Sequence, residues 1–190
     1  MTTHISTRQR NNEYLISPVS DSPEDELPEL FDVERLAHHS WISGQANGRG
    51  QVYFLRTQSG DQVLRHYRRG GLPRHISADQ FIWTGLTRSR PWREMTLTTK
   101  LRALGFNVPV PLAARAQRSG FTYTADILTE RIDGARSLAE IALSDPAGAI
   151  WGEIGRVIRC FHDVSAHHAD LNIRNILIDG DERVWLIDWD

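Results

Sequence analysis

Three oxygen-bearing side chains in the C-terminal part of the sequence have types and spacing that suit metal binding and proton transfer. Asp170 and Asn175 share one polar loop, and Asp188 follows a predicted strand at 184–187. That strand should form a hairpin with 176–178, and a hairpin brings its second strand back beside the first. We therefore expect Asp188 close to Asn175. A carboxylate and an amide oxygen are hard ligands that suit Mg²⁺, and a further carboxylate can accept a proton from a hydroxyl nucleophile.

A second set of candidate metal ligands overlaps this loop. It comprises His162, His167, His168 and Asp170, because imidazoles and a carboxylate can bind Zn or Fe. These histidines do not form the i, i+4 pair of a helical metal site, and adjacent histidines in a loop do not define one. We therefore interpret His168 as a residue that supports the loop.

A glycine-rich segment further upstream suits contact with phosphates. Gly44, Gly48 and Gly50 lie between two runs of strand-forming residues, and glycines let backbone N–H groups approach an anion closely. Ordinary hairpin turns often contain several glycines, so this signal is weak by itself. A basic run at 65–75 follows and could meet a phosphorylated or carboxylated substrate or an anionic lipid surface; the alternative is a solvated face.

The elements that must position these residues begin with a sheet. Residues 1–29 are polar, acidic and interrupted by three prolines, so we expect a mostly disordered arm with a short extended piece at 13–16. A short helix is predicted at 30–39, and a meander of three strands follows and ends near Tyr67. Capping-box spacing at 77–80 predicts another short helix.

The second half of the sequence carries the longer helices. The predicted elements are a helix after Pro91 that stops at Gly105, a hairpin of 112–118 and 121–129, and an amphipathic helix from 145 to 161. A small sheet with one packed helix therefore precedes a more helical part, with the boundary at 131–136. This order predicts an α+β plan of two lobes with a cleft between them.

Composition and cysteine content exclude several classes of protein. The 190 residues are 40% hydrophobic and 24% charged, which is the balance of a soluble globular protein. Cys160 is the single cysteine, so no disulfide can form within the chain. No apolar run approaches the ~18 residues of a membrane span. We expect a protein of the cytosol or of the cytosolic face of a membrane.

The charged residues are distributed unevenly. The formal net charge is -2, but residues 1–34 contain eight acidic and two basic residues, so an acidic arm precedes a mildly basic body. All basic residues except Lys100 are arginines, and arginine binds phosphate and carboxylate groups in a bidentate way. This bias is a weak indication of an anionic ligand. The net charge by itself argues neither for nor against nucleic acid.

The loop from His168 to Asn175 resembles the catalytic loop of protein kinases, His-Arg-Asp-Leu-x-x-x-Asn. Asp188 matches the first residue of the kinase Asp-Phe-Gly motif, although the two residues after it differ. The resemblance implies that Asp170 is the catalytic base and that Asn175 and Asp188 hold the metal.

The same resemblance implies roles in ATP binding. Gly48, Arg49 and Gly50 occupy the lid over the ATP phosphates. Arg65 stands where kinases place the Lys that holds the phosphates. Glu94, in the first turn of the helix after the sheet, is the candidate partner of Arg65, since an Arg–carboxylate pair can be bidentate. The alternative is that Glu94 only compensates the helix dipole.

A more specific resemblance rests on three strings: Tyr67-Arg68-Arg69-Gly70-Gly71, the stretch 128–136, and the catalytic loop followed by Ile176-Leu177. Over about residues 40–190 they resemble the 3-deoxy-D-manno-octulosonic acid (Kdo) kinases, lipopolysaccharide inner-core kinases with a protein-kinase-like fold. This resemblance implies ATP- and Mg²⁺-dependent phosphorylation of the 4-hydroxyl of Kdo on a lipid A precursor. It implies peripheral attachment to the cytoplasmic side of a Gram-negative inner membrane, without a nucleic-acid partner. Glu130 and Ile132 would lie where the interlobe linker meets adenine.

We therefore predict an α+β, protein-kinase-like two-lobed fold. Residues 1–29 should form the disordered acidic arm, 30–131 an N-lobe with sheet, helix and glycine-rich loop, and 132–190 a partial C-lobe with the catalytic loop. The Kdo kinases continue beyond the position of Asp188, so a truncated C-terminal lobe is expected. Two alternatives stay open. One is another lipopolysaccharide sugar kinase, such as a heptose kinase, and the other is a truncated, inactive kinase-like module that binds nucleotide.

Overall fold

The computed structural model describes residues 5–18, 29–47, 51–68, 79–144 and 150–190. The helices are α1 (Val33–His38), α2 (Arg90–Ala103), α3 (Leu138–Ser144) and α4 (Ile150–Asp163), with 3₁₀ helices at Glu29–Phe31 and Leu86–Arg88. The strands are β1 (Ile5–Arg10), β2 (Glu13–Pro18), β3 (Ile42–Asn47), β4 (Gln51–Thr57), β5 (Gly60–His66), β6 (Phe81–Ile82), β7 (Pro111–Ser119), β8 (Thr122–Glu130), β9 (Arg136–Ser137), β10 (Ile176–Ile178) and β11 (Val184–Leu186). Within these ranges, no helix has the length and apolar character needed to cross a membrane.

The described strands form two antiparallel sheets. The larger sheet has the order β1-β2-β7-β8-β5-β4-β3, and β6 pairs with β8 beside this path. The smaller sheet has the order β11-β10-β9. The helices lie beside antiparallel strands and do not alternate with parallel ones, so the predicted α+β class is confirmed.

Residues 5–18 form the β1–β2 hairpin, so the prediction of a mostly disordered arm is wrong there. The short extended piece predicted at 13–16 is confirmed, because it lies within β2. β2 pairs with β7, and its Ile16 is fully buried. Asn11 turns the hairpin with a φ of 55°, a conformation that Asn adopts more readily than most residues. The polar composition of this segment gave no sign of the hairpin, although Ile16 of β2 packs into the core beside β7. Residues 1–4 and 19–28 lie outside the described ranges.

The short helix predicted from the capping box at 77–80 is also wrong where the chain is described. Phe81–Ile82 form β6, which pairs with Tyr123 and Thr122 at the start of β8. Phe81 is buried, and its ring centroid lies 5.5 Å from that of Tyr123. A contact between residues far apart in sequence thus determines the conformation of this segment. A local capping pattern cannot reveal such a contact. Positions 77 and 78 lie outside the described ranges.

The two faces of the larger sheet at β5 pack against different helices. Leu64 packs with Leu36 of α1 on one face, whereas Tyr67, directly after the strand, packs with Met95 of α2 on the other. Because side chains alternate along a strand, Arg65 shares the α2 face. The first turns of α2 therefore face Arg65.

The C-terminal elements share a separate core around α4. Ile154 and Phe161 of α4 are buried together with Leu186 of β11 and Trp189. Leu101 of α2 belongs to the same cluster, so α2 contacts both the large sheet and the C-terminal elements. The buried face of α4 confirms the predicted amphipathic helix over its described part. Its predicted opening, at 145–149, lies outside the described residues.

Candidate functional site

A buried carboxylate fixes the turn of the β10–β11 hairpin. Asp179 accepts hydrogen bonds from the backbone N–H groups of Asp181 and Arg183 at 3.0 and 2.9 Å, and from Trp185 Nε1 at 2.8 Å. Burial acts against the carboxylate charge, but the hydrogen bonds from Trp185 and Arg183 hold the pKa of Asp179 below its ordinary value. The turn is thereby set, and β11 returns beside β10 in a defined register.

This register places Asp188 beside Asn175, as the sequence predicts. The backbone N–H of Ile187 donates to the carbonyl oxygen of Asn175 at 3.0 Å. The Asn175 side chain is buried, and its Nδ2 donates to the carbonyl oxygen of Asp170 at 2.9 Å. Asp170 itself is exposed. The hairpin and the loop thus bring Asp170, Asn175 and Asp188 to one place.

His168 holds the loop at 168–175 against this hairpin. Its Nε2 lies 2.7 Å from the carbonyl oxygen of Ile187, and its Nδ1 lies 3.2 Å from the backbone nitrogen of Asp170. A carbonyl only accepts and a backbone N–H only donates, so these partners assign the ring proton to Nε2. The ring also packs 4.7 Å from that of Trp189. The interpretation of His168 as a support for the loop is confirmed.

A chain of charged contacts links this loop to the larger sheet. Arg65 forms ion pairs with Asp188 and, at 2.5 Å, with Glu94 of α2. The Tyr67 hydroxyl donates to the same Glu94 oxygen at 2.5 Å. The predicted pairing of Arg65 with Glu94 is therefore confirmed. The extra contact to Asp188 makes Arg65 a bridge between the sheet and the hairpin.

The electrostatics of this bridge follow from its burial. Glu94 is only 4% exposed. Burial raises the pKa of the Glu94 carboxyl above its ordinary value, while Arg65 and the Tyr67 hydroxyl act in the opposite direction. Burial alone would lower the pKa of Arg65, but Glu94, Tyr67 and Asp188 raise it. The guanidinium therefore stays charged between its two carboxylates.

Three residues of this cluster, Tyr67, Arg90 and Asp190, were not among the predicted site residues. Tyr67 lies two positions after Arg65, so the alternation of side chains along a strand could have placed both on one face. Arg90, in the first turn of α2, bonds Asp190 at 2.6 Å. No spacing rule joins two residues one hundred positions apart, so neither Arg90 nor Asp190 carries a sequence signal for this contact.

The remaining predicted ATP-binding residues belong to two other segments of the chain. Gly48, Arg49 and Gly50 fall outside the described residues, although the flanking strands β3 and β4 pair as expected, with Asn47 opposite Gln51. Glu130 ends β8 opposite Gln62, with its side chain exposed.

Ile132 is half-buried just beyond β8. β5 joins this region to the charged cluster, because Arg65 lies opposite Ile127 and Gln62 lies opposite Glu130. Three residues of strand separate the two positions by about 10 Å.

The donor set fits a divalent cation. Asn175 uses its NH₂ group on Asp170, so its amide oxygen is the atom that it can offer to a metal. The Asp188 carboxylate, which pairs with Arg65, is the second candidate donor. Both are hard oxygen donors of the kind that Mg²⁺ prefers. Among the residues that the structure describes, no group of three or more His, Cys, Asp and Glu side chains could hold a metal. The alternative histidine site at 162–170 is therefore not supported.

Comparison with known proteins agrees with this geometry. Residues 33–190 match the family described as "Lipopolysaccharide kinase (Kdo/WaaP) family". The 3-deoxy-D-manno-octulosonic acid kinase of Stenotrophomonas maltophilia (strain R551-3) is 50% identical over 173 residues, which cover 85% of this chain and 70% of that protein. The protein of the same name from Vibrio cholerae is 45% identical over 150 residues, which cover 78% of this chain and 64% of that protein.

Two further comparisons cover a larger part of this chain. The 3-deoxy-D-manno-octulosonic acid kinase of Haemophilus influenzae is 38% identical over 191 residues, which cover 96% of this chain and 79% of that protein. The chain thus spans about two thirds to four fifths of the length of these relatives. A solved structure titled "WaaP in complex with acyl carrier protein" superposes with a TM-score of 0.54 at 14% identity, over 92% of this chain and 70% of that one. At this identity the similarity concerns the fold, and it confirms the predicted kinase-like architecture.

Proposed function

The chain belongs to the lipopolysaccharide kinase (Kdo/WaaP) family, and from this premise we propose that it transfers phosphate from ATP to the 4-hydroxyl of Kdo on a lipid A precursor. The relatives that share 38–50% of its sequence are Kdo kinases, which supports this acceptor. One structural observation carries the chemistry. The Arg65 bridge joins Glu94 to Asp188 at the place where Asn175 and Asp170 converge.

Each residue of the cluster has a distinct task in this proposal. Asp170 is exposed and acts as the base that orients and deprotonates the sugar hydroxyl. Asn175 and Asp188 would hold Mg²⁺, which when bound would neutralise charge on the β- and γ-phosphates. Arg65 would hold the α- and β-phosphates, and Glu94 sets the direction of its guanidinium. The chain mainly positions the reactants, because phosphoryl transfer requires little covalent chemistry from the protein.

The nucleotide would lie between two lobes. We assign residues 30–131 to the N-lobe, with the β1–β2 hairpin added to its sheet, and 132–190 to the C-lobe. Gly48, Arg49 and Gly50 would cover the phosphates. The backbone around Glu130 and Ile132 would meet adenine.

The acceptor determines where the protein works. A lipid A precursor carries phosphates and the Kdo carboxylate, and the arginine-rich body of this chain suits such an anionic head group. We place the protein peripherally on the cytoplasmic side of the inner membrane of a Gram-negative cell. No nucleic-acid partner belongs to this proposal.

The test is transfer of radiolabelled phosphate from Mg-ATP to Kdo-bearing lipid A precursor by the 190-residue chain. A heptose-bearing acceptor without Kdo is the comparison substrate. Labelling of the Kdo acceptor, with ADP as the other product, is the expected result, and NMR of the purified product identifies the hydroxyl that carries the new phosphate. Preferred labelling of the heptose acceptor would assign a different sugar kinase. Magnesium-dependent nucleotide binding without transfer would instead identify a binding module.

A further inference from the structure

The backbone at Asp188 is strained and is held from both sides. Its φ is 68°, in the left-handed region that a non-glycine residue occupies only at a cost of about 1 kcal/mol or more. Such a conformation persists only where the surroundings enforce it. On the N-terminal side, the N–H of Ile187 donates to the carbonyl oxygen of Asn175, and its carbonyl oxygen meets His168 Nε2.

Two contacts hold the C-terminal side of Asp188. Trp189 is 4% exposed, and its Nε1 donates to the carbonyl oxygen of Leu186 at 3.0 Å. Asp190 forms the 2.6 Å ion pair with Arg90, and its side chain is 18% exposed. The Arg90 side chain is 42% exposed, so this pair is only partly shielded from water. Asp190 therefore ties the strained residue to α2.

Arg90 is itself fixed by the larger sheet. Its backbone N–H donates to the Tyr123 hydroxyl at 3.0 Å, and its guanidinium lies 4.6 Å from the centre of the Phe81 ring. Glu94 follows one helical turn later on α2 and binds Arg65. Helix α2 thus reaches the Asp188 segment by two routes: through Glu94 and Arg65, and directly from Arg90.

We infer that the Arg90–Asp190 ion pair positions Asp188 for metal binding, an inference that rests on the proposed kinase function. Arg90 and Asp190 are positioning residues, because they act through the backbone of Asp188. Loss of the pair leaves the N-terminal contacts in place but frees the C-terminal side. The Asp188 carboxylate then spends less time in the position that it holds here beside Arg65.

The experiment compares Arg90→Ala, Asp190→Asn, the double variant and the conservative Arg90→Lys. Arg93→Ala is the matched control, since Arg93 lies on the same helix with its side chain exposed. The first readout is hydrogen exchange of the backbone amides at 187–190 without nucleotide. The second is the Mg²⁺ concentration that gives half-maximal binding of a fluorescent ATP analogue.

Arg90→Ala and Asp190→Asn should each accelerate exchange at 187–190 and raise the required Mg²⁺ concentration by about tenfold, and the double variant should add little more. Arg90→Lys should keep most of the slow exchange and of the low Mg²⁺ requirement, because a single N–H···O bond carries the pair and a lysine can donate one. Arg93→Ala should match the unchanged chain. If Arg90→Ala unfolds the protein, Asp190→Asn and Arg90→Lys are compared instead. Faster exchange and a higher Mg²⁺ requirement in Asp190→Asn than in Arg90→Lys would then support the inference, and equal values in the two variants would overturn it.

Unchanged exchange in Arg90→Ala or Asp190→Asn would overturn the inference, as would equal effects from Arg93→Ala. Additive effects of the two substitutions would also overturn it, because they would mean that the residues act separately. Failure of the unchanged chain to bind nucleotide would contradict the proposed function instead. The exchange measurement would still decide the role of the ion pair in that case.

Discussion

Two neighbouring residues of β5 support charged networks on opposite faces of the same sheet. Arg65 faces α2 and pairs with Glu94 and Asp188. His66 faces the other way, with Nδ1 2.7 Å from Asp126 and Nε2 3.4 Å from Asp79. Both networks combine one basic side chain of β5 with two carboxylates, yet they connect different parts of the molecule.

The two networks connect different elements of the structure. Arg65 connects the sheet to the hairpin that carries the metal-binding candidates. His66 and Arg115 both bind Asp126, at 2.7 and 2.9 Å, and so connect adjacent strands of one sheet. They line a small cavity of about 120 Å³ under α1. Under the proposed function, the Arg65 network would serve the reaction, whereas the His66 network would serve the stability of the sheet.

The largest expected effect separates chemistry from binding on the Arg65 face. Asp170→Asn should lower phosphate transfer by about 10²- to 10⁴-fold while ATP binding is retained, because only the base is lost. Transfer is measured with radiolabelled ATP and binding by calorimetry. Retained turnover in this variant would remove Asp170 from the mechanism.

Substitution of a metal-binding candidate should act on the nucleotide instead. Asp188→Ala should weaken magnesium-dependent ATP binding by about tenfold or more, because a hard oxygen donor disappears. Binding is titrated at several Mg²⁺ concentrations. An unchanged magnesium dependence would contradict the role of Asp188 as a ligand.

The corresponding change on the His66 face should affect stability and spare transfer. Asp126→Ala leaves Arg115 and His66 without their shared carboxylate in a site where Asp126 is 5% exposed. We expect a loss of about 3 kcal/mol in the free energy of unfolding, measured by urea denaturation. Transfer per folded molecule should stay within about twofold, since Asp126 lies on the opposite sheet face.

A surface pair offers the matched control for that comparison. Asp61 contacts Arg56 at 3.4 Å with 42% of its side chain exposed. Asp61→Ala should cost about 0.5 kcal/mol, as is usual for exposed ion pairs. Equal losses of unfolding free energy from the two substitutions would show that the buried network stabilises the sheet no more than an exposed ion pair does.

The smallest effect concerns pH. The hydrogen bond with Asp126 raises the pKa of His66 above its ordinary value of 6.5, although partial burial acts against it. This contribution to stability is complete below pH 6.5 and is lost as the pH rises through the folded-state pKa. His66→Gln should therefore reduce the fall in unfolding free energy between about pH 6 and about pH 8. An identical pH profile in the variant would exclude His66 as its source.

The candidate site was predictable where its geometry is local. A hairpin closes within a few residues, so the neighbourhood of Asn175 and Asp188 followed from the turn between β10 and β11. The loop spacing at 168–175 likewise carried the kinase resemblance. The pairing of Arg65 with Glu94 required that resemblance as well, because the two residues lie on separate elements.

The sequence by itself determined the strands and helices that bear the candidate site, their order and the chemical types of the candidate ligands. Only the tertiary structure decided three contacts: β2 on β7, β6 on β8, and Arg90 on Asp190. The physical reason is the same in each case. Hydrophobic periodicity and turn chemistry report what a residue prefers among its chain neighbours. A contact between distant segments depends on which surfaces the packed core brings together, and no spacing along the chain encodes that choice.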